Sequence, residues 1–155
     1  MAQCCRKLKR ESFVPASIET VFDFFSRAEN LDRITPPWLH FQIRTPAPVK
    51  MEKGTIIDYA LRLHGIPMKW RSQITEWEAP LRFVDVQIRG PYTRWRHSHR
   101  FERRGAGTVM TDDVEYIVPG GIAECFIHFL LVRRDLKRIF NYREAIMSNT
   151  FGKGD

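Results

Sequence analysis

Val118-Pro119-Gly120-Gly121-Ile122-Ala123-Glu124-Cys125-Phe126-Ile127-His128-Phe129-Leu130-Leu131-Val132 is where this chain changes its period. Before it, from about position 40, apolar and polar residues alternate in short runs broken by Gly and Pro, the pattern of strands joined by turns. After Pro119-Gly120-Gly121 the apolar positions recur at helical spacing, with Phe126, Phe129, Leu130, Leu136, Phe140 and Met147 forming one stripe flanked by Arg133 and Arg143. The spacing predicts a single helix over 122–150, roughly 42 Å long at 1.5 Å per residue and so able to cross a whole sheet. A curved antiparallel sheet followed by one long apolar helix packs with the helix in the sheet's concave face. Where the two do not close completely, a pocket lined by apolar and aromatic side chains remains.

Working outward, positions 7–14 read as a first strand, ended by Pro15. Ser17 is placed to cap a short helix carrying Ile18, Val21, Phe22 and Phe25, and a further turn or two covers 28–34, stopped by Pro36-Pro37. Strands are predicted over 40–44, 55–64, 67–77, 82–89, 93–103 and 108–118, with Gly65 and Gly105-Ala106-Gly107 in tight hairpins. Six or seven strands joined by short turns make a mostly antiparallel meander. The class is therefore α+β, with one domain expected over 7–150 and no repeat or linker-like shift in composition.

A chain of 155 residues, 43% hydrophobic and 28% charged, is large enough to bury its own core and too apolar for global disorder. The longest apolar run, 122–132, is interrupted by Glu124 and His128 and is too short to span a bilayer. The N-terminus lacks an apolar leader, so a cytoplasmic location is expected. Cys4, Cys5 and Cys125 have no pairing or metal-binding framework, and Cys125 reads as a small buried thiol near His128. The formal charge is +7, gathered at Arg6, Lys7, Lys9 and Arg10, at Arg94, Arg96, Arg100, Arg103 and Arg104, and at Arg133, Arg134, Lys137 and Arg138. Such fields aid solubility and also attract nucleic acid, anionic lipid or acidic ligands.

Strand alternation puts Trp95, His97, His99 and Phe101 on one face and Arg94, Arg96, Ser98 and Arg100 on the other. The aromatic face is expected to look inward. On the following strand Met110, Asp112, Val114 and Tyr116 share the inward face. His97, His99 and Asp112 are thus the candidate catalytic groups, whether as ligands of a metal, as general acid and base on a bound carbonyl compound, or as a patch that hydrogen-bonds a ligand. No complete metal-ligand motif, phosphate loop or Gly-x-Ser-x-Gly sequence is present, and neither metal nor cofactor is expected. Tyr59, Leu61, Trp70, Trp95 and Tyr116 are expected to wall the cavity from the sheet, and Phe126, Leu130 and Phe140 from the helix. Nucleic-acid binding is disfavoured, because the aromatic and basic residues of 93–103 lie on opposite faces of their strand, whereas a stacking platform needs both on one.

The segment Phe13-Val14-Pro15-Ala16-Ser17-Ile18-Glu19-Thr20-Val21-Phe22-Asp23-Phe24-Phe25 resembles the strand-to-helix opening of small bacterial ligand-binding members of the START/polyketide-cyclase (SRPBCC) superfamily, to which the birch-pollen allergen also belongs. Asn30–Trp38, His64-Gly65-Ile66-Pro67, Arg89-Gly90-Pro91-Tyr92 and Trp95–Phe101 are similar to later segments of the same group, so the likeness spans about 7–150. The resemblance implies a helix-grip fold. It also implies binding or carriage of a hydrophobic or aromatic small molecule such as a lipid, quinone or polyketide-like compound; whether the chain is a monomer or homodimer is left open. The alternative it leaves is a cyclase or dehydratase using cavity His and Asp; the basic patches leave another, a surface binder of nucleic acid or anionic membrane.

Overall fold

The computed structural model describes residues 4–152; the N-terminal Met1–Gln3 and the end of the polar tail, Lys153–Asp155, lie outside the described residues. Strand β1 (Arg6–Val14) alternates exposed and half-buried side chains, as expected of an edge strand with one face on the core. The side chain of Ser17 accepts from the Thr20 amide and starts α1 (Ile18–Phe25), which buries Ile18, Val21, Phe22, Phe24 and Phe25. A 3₁₀ turn over Ala28–Asn30 leads into the single turn of α2 (Leu31–Ile34). Then come β2 (Gln42–Ile43), β3 (Ile56–Leu63), β4 (Ile66–Glu78), β5 (Arg82–Arg89), β6 (Arg94–Arg104) and β7 (Gly107–Ile117).

The seven strands form one antiparallel sheet in the order β1-β7-β6-β5-β4-β3-β2. From β2 to β7 it is the meander that the turn chemistry predicts. His64 and Gly65, at φ 50° and 80°, supply the left-handed pair that a two-residue hairpin between Leu63 and Ile66 requires. The first strand lies beside the last, and the connection through α1 and α2 carries the chain to the opposite edge. Register shifts in β4 between Arg71 and Ser72 and between Ile74 and Glu76 bend the sheet, giving it a concave face.

The C-terminal helix spans 121–151 in three pieces: a 3₁₀ turn with α3 (Glu124–Ile127), a π turn (His128–Val132) and α4 (Arg133–Phe151). This corrects the predicted stripe. Leu136, Phe140 and Met147 are buried against the sheet, but Phe126, Phe129 and Leu130 are 72%, 69% and 60% exposed. The i→i+5 bonding of the π turn shifts the phase between the two halves of the helix, so the apolar positions before it do not continue the buried face after it. The first half is tied down by polar contacts instead: Glu124 pairs with Arg6, and His128 Nε2 meets the Tyr116 hydroxyl at 2.9 Å. Cys125 is exposed, not buried as its apolar neighbours suggested. Among the described residues no helix is long and apolar enough to cross a membrane.

Two clusters make the core. One is built on α1 and packs Phe22 edge-on against Trp77, Phe83 and Phe101, with Val14, Val21, Met110 and Met147 around them. The other lies under α4 and contains Leu61, Trp70, Trp95, Val114, Tyr116, Leu136 and Phe140.

Candidate functional site

Between these clusters, under α4, the packing is incomplete. A cavity of about 190 Å³ remains, bounded by α2, the concave faces of β3 to β6 and the middle of α4. Tyr59, Leu61, Trp70, Trp95, His97, His99 and Phe140 line it. Its aromatic wall is continuous: Tyr59 stacks on Trp70 at 5.9 Å, and Trp70 meets Trp95 edge-on at 5.4 Å. The Tyr59 hydroxyl and the Trp70 indole N–H both reach the Ser72 hydroxyl at 2.9 Å, so this wall carries its own satisfied polar tips. Burial holds the Tyr59 phenol far above its ordinary value, keeping it neutral.

The other expected lining residues sit elsewhere. Phe101 belongs to the solid cluster beneath α1. Tyr116 is buried in the second cluster, where it braces His128. Phe126 and Leu130 face outward. Asp112 stands behind the histidines and does not border the cavity, which corrects its placement without removing it from the site.

Cross-strand register explains the charged end. Phe83, His99 and Asp112 are direct neighbours across β5, β6 and β7, and Asp85 lies opposite His97. His97 and His99, two residues apart on one strand, stack with centroids 3.8 Å apart, and His99 stacks on Phe83 at 4.2 Å. His97 Nε2 lies 2.7 Å from Asp112 Oδ1, and His99 Nε2 lies 2.8 Å from Asp85 Oδ2. His99 Nδ1 approaches Asp112 Oδ1 at 3.3 Å, without hydrogen-bond alignment. From α4, Arg143 extends its guanidinium to 3.9 Å from the same carboxylate oxygen.

These contacts set the charges. Burial and the adjacent His99 push His97 below the ordinary histidine range, against the pull of Asp112. Burial also opposes charge on His99, yet the carboxylates of Asp112 and Asp85 raise it above that range. Burial works to raise Asp112, but Arg143 and the two imidazoles hold it well below the carboxylate range; Asp85 is lowered by His99 in the same way. These directions favour two carboxylates, the Arg143 guanidinium and a neutral His97, with His99 the imidazole on which a proton is held more firmly. The sealed imidazole nitrogen without a hydrogen-bond partner is His99 Nδ1, while a neutral His97 donating from Nε2 to Asp112 leaves Nδ1 as an acceptor lone pair. Such an oriented imidazole can accept a proton or a hydrogen bond from a molecule in the cavity.

Asp85, His97 and His99 also bring one ligand atom each within 4.8 Å of one another. Both Nε2 atoms already face carboxylates, and Arg143 stands beside them. A cation there would displace the His99–Asp85 bond and sit beside a fixed positive charge, so the residues fit an ion-pair network better than a metal centre.

Sequence reasoning did not find Asp85, Ser72 and Arg143. On β5 the more apolar alternate positions are Val84, Val86 and Ile88, so alternation hides the inward position of Asp85. Arg143 was visible only as a residue flanking a stripe; its direction follows from the phase of α4.

A curved seven-stranded sheet gripping a C-terminal helix around a partly apolar cavity defines the helix-grip class of ligand-binding proteins. The sequence profile of the polyketide cyclase / dehydrase and lipid transport family matches residues 14–131, and the chain belongs to that family. A crystal structure from Thermus thermophilus is similar, with a TM-score of 0.72 at 16% identity over 94% of this chain and 99% of that one. Norcoclaurine synthase of Thalictrum flavum, solved as a point mutant with a transition-state analogue, gives 0.68 at 15% identity over 97% and 98%. A nucleoside-diphosphate sugar epimerase from Corynebacterium glutamicum gives 0.65 at 24% identity over 90% of this chain, which spans only 28% of that longer protein. No curated protein matches the sequence.

Proposed function

We propose that this protein binds and carries a small hydrophobic or aromatic molecule in the cavity between sheet and helix. One observation carries the reading: aromatic and aliphatic walls enclose a space whose polar groups converge at one end, the arrangement of a small-molecule site. Its size narrows the ligand. A dry apolar cavity of about 150 Å³ takes up benzene, so 190 Å³ suits a one- or two-ring compound, or the head of a quinone or polyketide-like molecule, better than a whole lipid. His97 would accept a hydrogen bond from a hydroxyl of such a compound, with Asp112 behind it holding the ring, and the same imidazole would serve a cyclase or dehydratase as its proton acceptor. Native mass spectrometry of the protein purified from its source is expected to show a bound apolar small molecule, released on denaturation. A chain that carries nothing and takes up no aromatic compound when offered a mixture contradicts the proposal.

A second reading concerns delivery and rests on the exposed strip of the C-terminal helix. Ile122, Phe126, Phe129 and Leu130 are exposed, and exposed Arg133, Arg134, Lys137 and Arg138 follow them. Apolar residues followed by a basic cluster match the chemistry of an anionic membrane surface. Sedimentation with phosphatidylglycerol vesicles is expected to pull the protein down at low salt, and Phe126→Asp with Phe129→Asp to release it. Equal sedimentation of the double variant removes the strip from the account.

A further inference from the structure

The cavity's polar end contains two sealed nitrogens without a hydrogen-bond partner, His99 Nδ1 and Arg143 Nε. Asp85 is engaged by His99, and Asp112 by His97. Arg143 is left over. Among the described residues it makes no side-chain hydrogen bond, its Nε is sealed from solvent without a partner, and its nearest carboxylate oxygen, Asp112 Oδ1, is 3.9 Å away. Its guanidinium is instead flanked by the rings of Phe25 and Phe140, each 5.6 Å from the central carbon, and it lines the cavity. A guanidinium carries five N–H donors in a planar fork that matches a carboxylate. Leaving such donors unmade in a buried place is costly, and an acceptor arriving with a ligand removes that cost.

We infer that the molecule bound in this cavity is an organic anion, a planar apolar body bearing a carboxylate or enolate oxygen that Arg143 receives. This rests on the cavity being a binding site and adds which end of the ligand enters toward β6. The two carboxylates do not repel such a ligand fully, since each already faces an imidazole. The anion would dock beside His99 and Arg143, the two cations of the network, with its apolar body against Trp70 and Trp95. It would also favour protonation of His97, since the site is otherwise balanced, so binding of the anion is expected to be accompanied by proton uptake.

The test compares trans-cinnamate with its uncharged isostere cinnamyl alcohol by titration calorimetry at neutral pH. The wild type is expected to bind cinnamate about ten- to hundredfold more tightly than the alcohol, the range a charged hydrogen-bonded contact supplies. Arg143→Met is expected to abolish that preference while still binding the alcohol. Arg143→Lys, which keeps a positive charge beside Asp112 and so guards against a variant that fails to fold, is expected to retain part of it. Near-UV circular dichroism checks that both variants keep the packed aromatic core. Equal affinity of the wild type for the two compounds, or a preference that survives Arg143→Met, overturns the inference and leaves the cavity reading standing. If neither compound binds the wild type, the cavity reading falls and the inference falls with it.

Discussion

Asp112→Asn is expected to lower the free energy of unfolding by about 3–5 kcal/mol, the cost of breaking a buried ion pair by removing one partner. Asp112 is the anion shared by His97, His99 and Arg143, and its side chain is only 10% exposed. Its loss leaves a guanidinium and an imidazolium facing each other across a low-dielectric space. The effect should depend on pH in a defined direction. Asp112 and Asp85 have lowered values in the fold, so their contribution is present above the usual carboxylate range and disappears as pH falls through their folded values. His99 is raised, so its contribution is present below about 6.5, the ordinary histidine value, and is lost as pH rises through its folded value. His97 is lowered and acts oppositely, costing stability as acid protonates it. Urea unfolding of wild type and variant should therefore differ more at pH 6 than at pH 8.5, where His99 in the variant sheds its charge. A loss below about 1 kcal/mol at both pH values would mean that the network is solvated and the charge assignment is wrong.

The second large effect separates the solid from the hollow half of the core. Phe101 is 2% exposed and packs against Phe22, Phe25 and Phe83, so Phe101→Ala is expected to cost about 3–5 kcal/mol. Leu61, 9% exposed, lies on the cavity wall and already lacks neighbours on one side. Leu61→Ala should fall at about 2 kcal/mol, the low end for such truncations, because little new void is created beside an existing one. Denaturant midpoints at constant slope measure both. Equal costs at the two sites would show that the space under α4 is filled in solution.

Much of this architecture can be read from residue patterns because the signals are local. The inward face of β6, Trp95-x-His97-x-His99-x-Phe101, follows from alternation alone, and the hairpin at His64-Gly65 follows from its need for left-handed backbone. The pairing of β1 with β7 joins residues about a hundred positions apart and has no local mark. The direction of Phe126, Phe129 and Leu130 depends on a π turn that composition does not announce. Asp85 is concealed by the more apolar residues beside it, and the volume of the cavity depends on how far α4 stands from the sheet. The candidate site was thus half legible: its histidines, its aspartate on β7 and its aromatic walls could be named, while the second carboxylate and the arginine opposite could not.

The central claim is that this space accepts a ligand, and filling it tests that most directly. Leu61→Trp places an indole into the cavity from its wall, and calorimetry with cinnamate and cinnamyl alcohol then compares it with the wild type. The expected result is measurable binding to the wild type and a loss of at least about a hundredfold in the filled variant, with thermal stability kept within a few degrees. Binding of both compounds by the filled variant with unchanged affinity would place the ligand elsewhere on the molecule and contradict the account.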